Sequence, residues 1–148
     1  MRFVIQVARN ASVTIEDKVT GSIDRGFVVL VGVSKEDTVE IADKMIKKLL
    51  NLRVFPDEND KTNLSLKDVG GELLIVSQFT LYADCKRGNR PSFIRAMEPE
   101  KASGMYDYIV NSIREKGFKA ETGVFGAYMK VLLTNEGPFT IILDSDEL

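Results

Sequence analysis

The sequence predicts a mixed α/β domain with an antiparallel component, in the order β-β-β-α-β-α-β-β. Three observations carry this: two almost wholly apolar, valine-bearing runs at 26–33 and 73–76, two stretches with apolar residues at steps of three and four, and alternating patterns near both ends. At 148 residues, 44% hydrophobic and 28% charged, the chain has the size and balance of one globular domain, and no linker or internal repeat divides residues 1–148.

Residues 2–7 and the alternating Ala11-Ser12-Val13-Thr14-Ile15 read as strands, with Glu16-Asp17-Lys18 as a polar turn before a further extended stretch to Ile23. Residues 26–33 form the next strand, apolar enough to be covered on both faces. Ser34, with Asp37 three residues on, resembles a helix-starting cap, and Val39, Ala42, Ile46 and Leu49 then mark an amphipathic helix ending near Leu50. Leu52 to Phe55 is a short extended piece before the polar loop at 56–61, whose Asp57, Glu58 and Asp60 lack the full spacing of a calcium loop and read as solvated. The turn Gly70-Gly71 introduces a buried strand at 73–76. Pro99 suits the first turn of a second helix that runs to Lys116 and stops at Gly117, with Ala102, Tyr106, Ile109 and Ile113 as its buried stripe. In the tail Met129, Val131 and Leu133 alternate with Lys130, Leu132 and Thr134, and residues 139–143 follow Asn135-Glu136-Gly137-Pro138, so two strands meet at a Gly-Pro corner.

What the sequence lacks bounds its chemistry. There is no histidine and a single cysteine, Cys85. Ser-His-Asp and Cys-His catalysis, His-ligated zinc, internal disulfides and paired-cysteine redox chemistry are therefore excluded. Cys85 lies beside Lys86 and Arg87, but with no histidine partner it reads as an incidental thiol. Twenty basic against 22 acidic residues give a net charge of −2, so no global basic field advertises a nucleic acid. The first residues do not resemble an export signal, no segment has the length and apolarity of a membrane span, and the final Ser145-Asp146-Glu147-Leu148 reads as a chance echo of a retention tail. A cytoplasmic protein without a membrane partner is expected.

Three constellations remain. Ser77-Gln78-Phe79-Thr80 leaves the buried strand and brings hydroxyls, an amide and free main-chain N–H groups to a sheet edge, where open α/β sheets place ligands; no base stands beside either hydroxyl, and polar residues also appear simply where strands surface. The segment from Asp84 to Arg95 carries four positive charges and one negative, including Arg87 and Arg90, whose guanidinium groups suit phosphate; a solvated loop is the plainer alternative. Gly137-Pro138 forms the corner described above, where an ordinary trans peptide is the base expectation.

Taken together, Ser77-Gln78-Phe79-Thr80, the run from Arg87 to Phe93, and Asn135-Glu136-Gly137-Pro138-Phe139-Thr140 strongly resemble the D-aminoacyl-tRNA deacylase family, over essentially the whole chain. Ala11-Ser12-Val13, the run Thr122 to Ala127 and Met129 add to the likeness. The resemblance implies a three-layer α/β/β fold and a cytosolic homodimer. It implies hydrolysis of the ester joining a D-amino acid, or glycine mischarged on tRNA(Ala), to the 3′-terminal adenosine of tRNA, with no cofactor, metal or DNA. It further implies a cis Gly137-Pro138 peptide, inserted from one subunit into the other's pocket to reject L-amino acids. By similarity the amides of Phe79 and Thr80 hold the oxyanion, Ser77 and Gln78 shape the pocket for the terminal adenosine and aminoacyl group, and the ribose 2′-hydroxyl activates water. The Thr80 hydroxyl as nucleophile is the second reading. Where the family usually has an arginine after Gln6 this chain has Val7, and Arg9, on the same face if the strand keeps its register, is the candidate substitute. Tyr128 and Phe139 stand where aspartate and valine are frequent. The alternatives outside this family are an inert RNA-binding module built on Arg87 and Arg90, and a small α/β interaction scaffold.

Overall fold

The valine-rich run of the second strand has side chains covered on both faces, and the fold is built around it. The computed structural model describes residues 1–148. Its strands are β1 (Arg2–Ile15), β2 (Lys18–Gly32), β3 (Arg53–Pro56), β4 (Thr62–Ser65), β5 (Glu72–Ser77), β6 (Ala120–Thr122) and β7 (Lys130–Asp144); its helices are α1 (Val39–Leu50) and α2 (Pro99–Glu115). Five strands form a mixed sheet in the order β6-β5-β2-β1-β7, with β2, β5 and β6 parallel and β1 antiparallel to both β2 and β7. Each parallel pair is joined by a crossover that carries a helix, as parallel pairing requires.

Alternation along the strands divides the interior into two cores. Phe27, Val29, Val31, Leu73 and Ile75 face the helices and join Met45, Ile46, Leu49, Ile109 and Ile113 in the larger one. Val28, Leu74 and Val76 face the other way, against Ala8, Ala11, Val13 and Ile23 of the distal halves of β1 and β2. Those halves fold back over the sheet, so closely that a Cβ on Gly21 would lie 2.6 Å from the Thr122 carbonyl oxygen. The mixed α/β class and the three layers of helices, sheet and returning strands match the expected architecture.

The element order differs from the sequence reading in five places, one being that the extended stretch to Ile23 and the strand at 26–33 form a single β2 from Lys18 to Gly32. The first two strands are one: Asn10 takes a left-handed conformation (φ 49°), the pairing with β2 keeps its register from Arg9–Arg25 to Ala11–Ile23, and the step is absorbed as a register shift against β7 between Arg9 and Ser12. The piece at 53–56 pairs with β4 in a hairpin whose Phe55 stacks on Phe27 at 5.3 Å. The three-residue β6 is too short to show as a pattern. The tail is a single strand: Gln6 pairs with Thr140 and Ala8 with Asn135, so Glu136 to Phe139 bulge out opposite Val7 and the chain does not turn a corner. The helix cap also moves. Thr38 caps α1 by accepting from the Ile41 amide, because Asp37 is held by the Ser34 amide (2.6 Å) and the Met1 α-ammonium (2.5 Å). The second helix ends one residue earlier than expected, with Gly117 beyond it at φ 84°.

Parallel pairing of β2 and β5 begins at Gly26 and Glu72, where Gly26 has φ 152° and an added Cβ would sit 1.8 Å from the Glu72 carbonyl oxygen. Gly26→Ala is expected to lower stability by about 3–4 kcal/mol, from strain and overpacking together. Gly104, helical and with open space around its Cα, should give the opposite sign, with Gly104→Ala gaining about 0.5–1 kcal/mol. Chemical denaturation reads both as shifts in midpoint at constant slope.

Candidate functional site

Parallel strands β2 and β5 end side by side, Val31 opposite Ser77. One further bond, from the Gln78 amide to the Val31 carbonyl at 2.7 Å, closes the ladder, and the chain then turns into the short 3-10 segment Phe79–Tyr82. The first N–H groups of such a turn have no acceptor within it. No side chain caps this one, so the Phe79 and Thr80 amides are left available. The Gln78 side-chain amide donates to the Thr80 hydroxyl, which points that oxygen's bonding capacity at its neighbour.

A cavity of about 280 Å³ opens at this edge. Its walls are Val31, Val76, Ser77, Gln78 and Phe79 from the strand ends, Ala102 and Tyr106 from α2, and the segment Phe125 to Met129. No Asp, Glu, Lys or Arg lines it. Its buried phenol, Tyr106, donates to the Ile75 carbonyl at 2.7 Å, and burial pushes its pKa well above the ordinary tyrosine value, so it is a neutral wall rather than a base. What the site offers chemically is main-chain N–H groups, hydroxyls and an amide in an apolar setting.

Ser77, Gln78 and Phe79 thus converge on one cavity, with Thr80 exposed at its edge. Gly137 and Pro138 do not line it; they lie exposed on the bulge of β7, and their peptide bond is cis. Asn135 clamps the bulge, accepting from the Phe139 amide (3.0 Å) and donating to the Thr140 hydroxyl (3.1 Å). Arg9 braces the same loop through a 2.6 Å ion pair to Glu136. The segment of Arg87 and Arg90 projects as an exposed loop whose base is closed by paired backbone bonds between Asp84 and Ser92 (2.8 and 2.9 Å). Cys85 is exposed on it. Asp57 is occupied in its own loop, accepting from the Asn59 and Lys61 amides, and these bonds hold its carboxyl below the usual range.

Sequence reasoning missed Arg2, which ties the 3-10 segment to the sheet. Its guanidinium pairs with Asp144 at 2.6 Å, donates to the Leu81 carbonyl at 3.0 Å and lies over the Tyr82 ring. Tyr82 is buried, which together with Asp37 raises its pKa to about 12. Nothing local in the sequence marks Arg2; its three partners come from distant segments.

A family model described as D-Tyr-tRNA(Tyr) deacylase matches residues 4–144. The chain is 55% identical over 145 residues to a D-aminoacyl-tRNA deacylase of Clostridium perfringens, covering 98% of this chain and 97% of the relative. A D-aminoacyl-tRNA deacylase of Thermotoga petrophila is 52% identical over 148 residues, with 100% and 99% covered. Among solved structures, the c-Myc DNA Unwinding Element Binding Protein superposes with a TM-score of 0.91 at 42% identity, covering 97% of this chain and 98% of that one. A structure described as that of a probable eukaryotic D-amino acid tRNA deacylase shares the fold, with a TM-score of 0.84 at 18% identity over 96% and 97% of the two chains.

Burial raises the proton affinity of Asp144, but the bonds from Arg2 and the Asp146 amide outweigh it, and the carboxyl sits below its ordinary value of 3.8. A depressed carboxyl contributes stability above its unfolded pKa and loses it as pH falls through the folded one. Arg2→Met should therefore cost about 1–3 kcal/mol at pH 7. The deficit should shrink as pH falls below the ordinary carboxylate range and through the depressed pKa of Asp144, where the wild type loses the charged pair as well. Urea melts at several pH values read the difference.

Proposed function

The chain belongs to the D-Tyr-tRNA(Tyr) deacylase family and is a D-aminoacyl-tRNA deacylase, a hydrolase; from that premise we propose how its own residues carry the reaction. The Phe79 and Thr80 amides hold the oxyanion formed when water adds to the ester carbonyl, and Ser77 and Gln78 shape the pocket around the terminal adenosine and the aminoacyl group. The single observation that carries this is the uncapped start of the 3-10 segment at the rim of a cavity lined by no ionisable Asp, Glu, Lys or Arg. Main-chain donors aimed at a developing oxyanion need no tuned side-chain pKa. The proton-handling group is then the substrate's ribose 2′-hydroxyl. The Thr80 hydroxyl ranks second as a nucleophile, since its polar neighbour is the Gln78 amide, which donates and takes no proton.

Chirality is checked by Gly137 and Pro138 of a second copy of the chain. Two observations favour that arrangement: the pair is exposed and outside its own cavity, and β7 is an edge strand that exposes Leu132 and Ile142. In the homodimer the main chain of the Gly137-Pro138 bulge fills the space an L side chain requires. A D side chain points elsewhere and glycine has none, so glycyl-tRNA(Ala) is also a substrate. Arg9, through Glu136, takes the bracing role. The setting is the cytoplasm, where tRNA is charged.

The test is release of amino acid from matched D- and L-aminoacyl-tRNA. The D substrate should be cleaved at least about 100-fold faster, a discrimination of the size a steric block supplies; equal rates would overturn the chirality assignment. Thr80→Ala should retain activity within about tenfold, whereas loss of about 10⁴-fold would install its hydroxyl as the nucleophile. Arg9→Ala should change stability by no more than about 1 kcal/mol, the pair being half-exposed, while lowering the D-to-L ratio.

A further inference from the structure

A second cavity, of about 450 Å³, adjoins the first at Phe79. The two share Phe79, Met97, Ala102, Phe125 and Gly126 as a common wall. Its outer side is formed by Phe93 and Ile94. The Phe79 and Phe93 rings meet edge to face at 4.8 Å, and Phe79 and Ile94 leave 55% and 76% of their surface exposed, an unusual outlay of apolar area for one small groove.

The groove is held open by the backbone. The Lys35 amide donates to the Arg95 carbonyl (3.2 Å) and the Met97 amide to the Val33 carbonyl (2.9 Å), so residues 93–97 are laid along the end of the β2 extension. Charge surrounds it unevenly. Lys35 stands on one rim and Glu98, paired loosely with Lys101 at 3.9 Å, on another. The loop with Lys86, Arg87 and Arg90 runs straight into Phe93 through the Asp84–Ser92 closure, with only Asp84 to offset it.

We propose that this groove seats the nucleobase of the unpaired nucleotide immediately 5′ of the terminal adenosine, with Phe93 and Ile94 as its platform and Lys35, Arg87 and Arg90 around the intervening phosphates. The inference rests on the reading that the first cavity holds the terminal adenosine. Three features argue for this occupant. The groove adjoins that cavity across a shared wall of side chains, so a strand whose last base lies in the cavity brings its preceding base to the groove. An exposed aromatic face beside a basic loop is how proteins hold single-stranded nucleic acid without reading its sequence. Among the residues lining the groove only Lys35 and Glu98 are polar, so the base is held mainly by apolar and aromatic surface and not by a set of edge-reading amides and hydroxyls.

The test compares three substrates carrying the same D-amino acid: aminoacyl-adenosine, aminoacyl-cytidylyl-adenosine and whole aminoacyl-tRNA. Wild-type kcat/KM should rise at least about fivefold from the first to the second. Ile94→Asp, at an exposed position, should lower kcat/KM for the dinucleotide and tRNA about 5- to 100-fold while leaving aminoacyl-adenosine within twofold. Phe93→Leu, which keeps an apolar side chain but removes the aromatic face, should show the same split. Equal losses on all three substrates, or no loss on any, would overturn the groove assignment; so would an Ile94→Asp effect that follows the amino acid rather than the nucleotide number. Wild-type protein that releases nothing from any of the three would instead overturn the reading of the first cavity.

Discussion

The hydrogen bond from the Gln78 amide to the Val31 carbonyl is the last rung of the parallel β2–β5 ladder, and what happens beyond it depends on it. A regular strand would continue to spend its amides on the sheet. Here the chain leaves the sheet with the next two amides free, at a point whose position is set by two buried, apolar strands that tolerate little slippage. Arg2 secures the other end of the turn through Leu81, Tyr82 and Asp144. In the proposed mechanism the donors are backbone atoms, so their accuracy comes from the sheet and from this clamp, not from side-chain rotamers.

The same economy governs the second element of the proposed site. Glu136 to Phe139 are extruded from a strand that stays paired with β1 on both sides, at Ala8–Asn135 and Gln6–Thr140. A loop formed this way has ends fixed by the sheet and an interior fixed by Asn135, so Gly137 and Pro138 project from a rigid base. Their absence from their own cavity makes a second copy of the chain the natural recipient in the proposed dimer. Arg9 differs in kind: its pair with Glu136 is half-exposed, adds little stability and bears on the loop's posture.

Legibility in the sequence followed how local each signal was. The second helix came out within one residue because Pro99 and Gly117 punctuate it and Ala102, Tyr106, Ile109 and Ile113 repeat inside it. The strand at 73–76 was plain from its apolarity. The continuity of β1 and β7 was hidden, since Arg9-Asn10 and Glu136-Gly137-Pro138 look like breaks and only the pairing partner shows them to be bulges. The cap at Thr38 was hidden by Asp37, whose partners include an α-ammonium 36 residues away. Of the proposed site, Ser77 to Thr80 and Gly137-Pro138 stood out locally as a strand exit and a corner and took their roles from resemblance, while the wall formed by Met97, Phe125 and Met129 and the clamp of Arg2 required the fold.

The central claim is that this chain supplies main-chain oxyanion donors and leaves proton handling to the substrate. Its most direct test is single-turnover hydrolysis of a 3′-linked D-aminoacyl-tRNA ending in 2′-deoxyadenosine, compared with the ribose substrate at saturating enzyme. The account predicts a loss of about 10²–10⁴-fold, the usual worth of an acid–base group, with binding preserved. Hydrolysis of the deoxy substrate at the full rate would contradict it and place the proton-handling group on the protein.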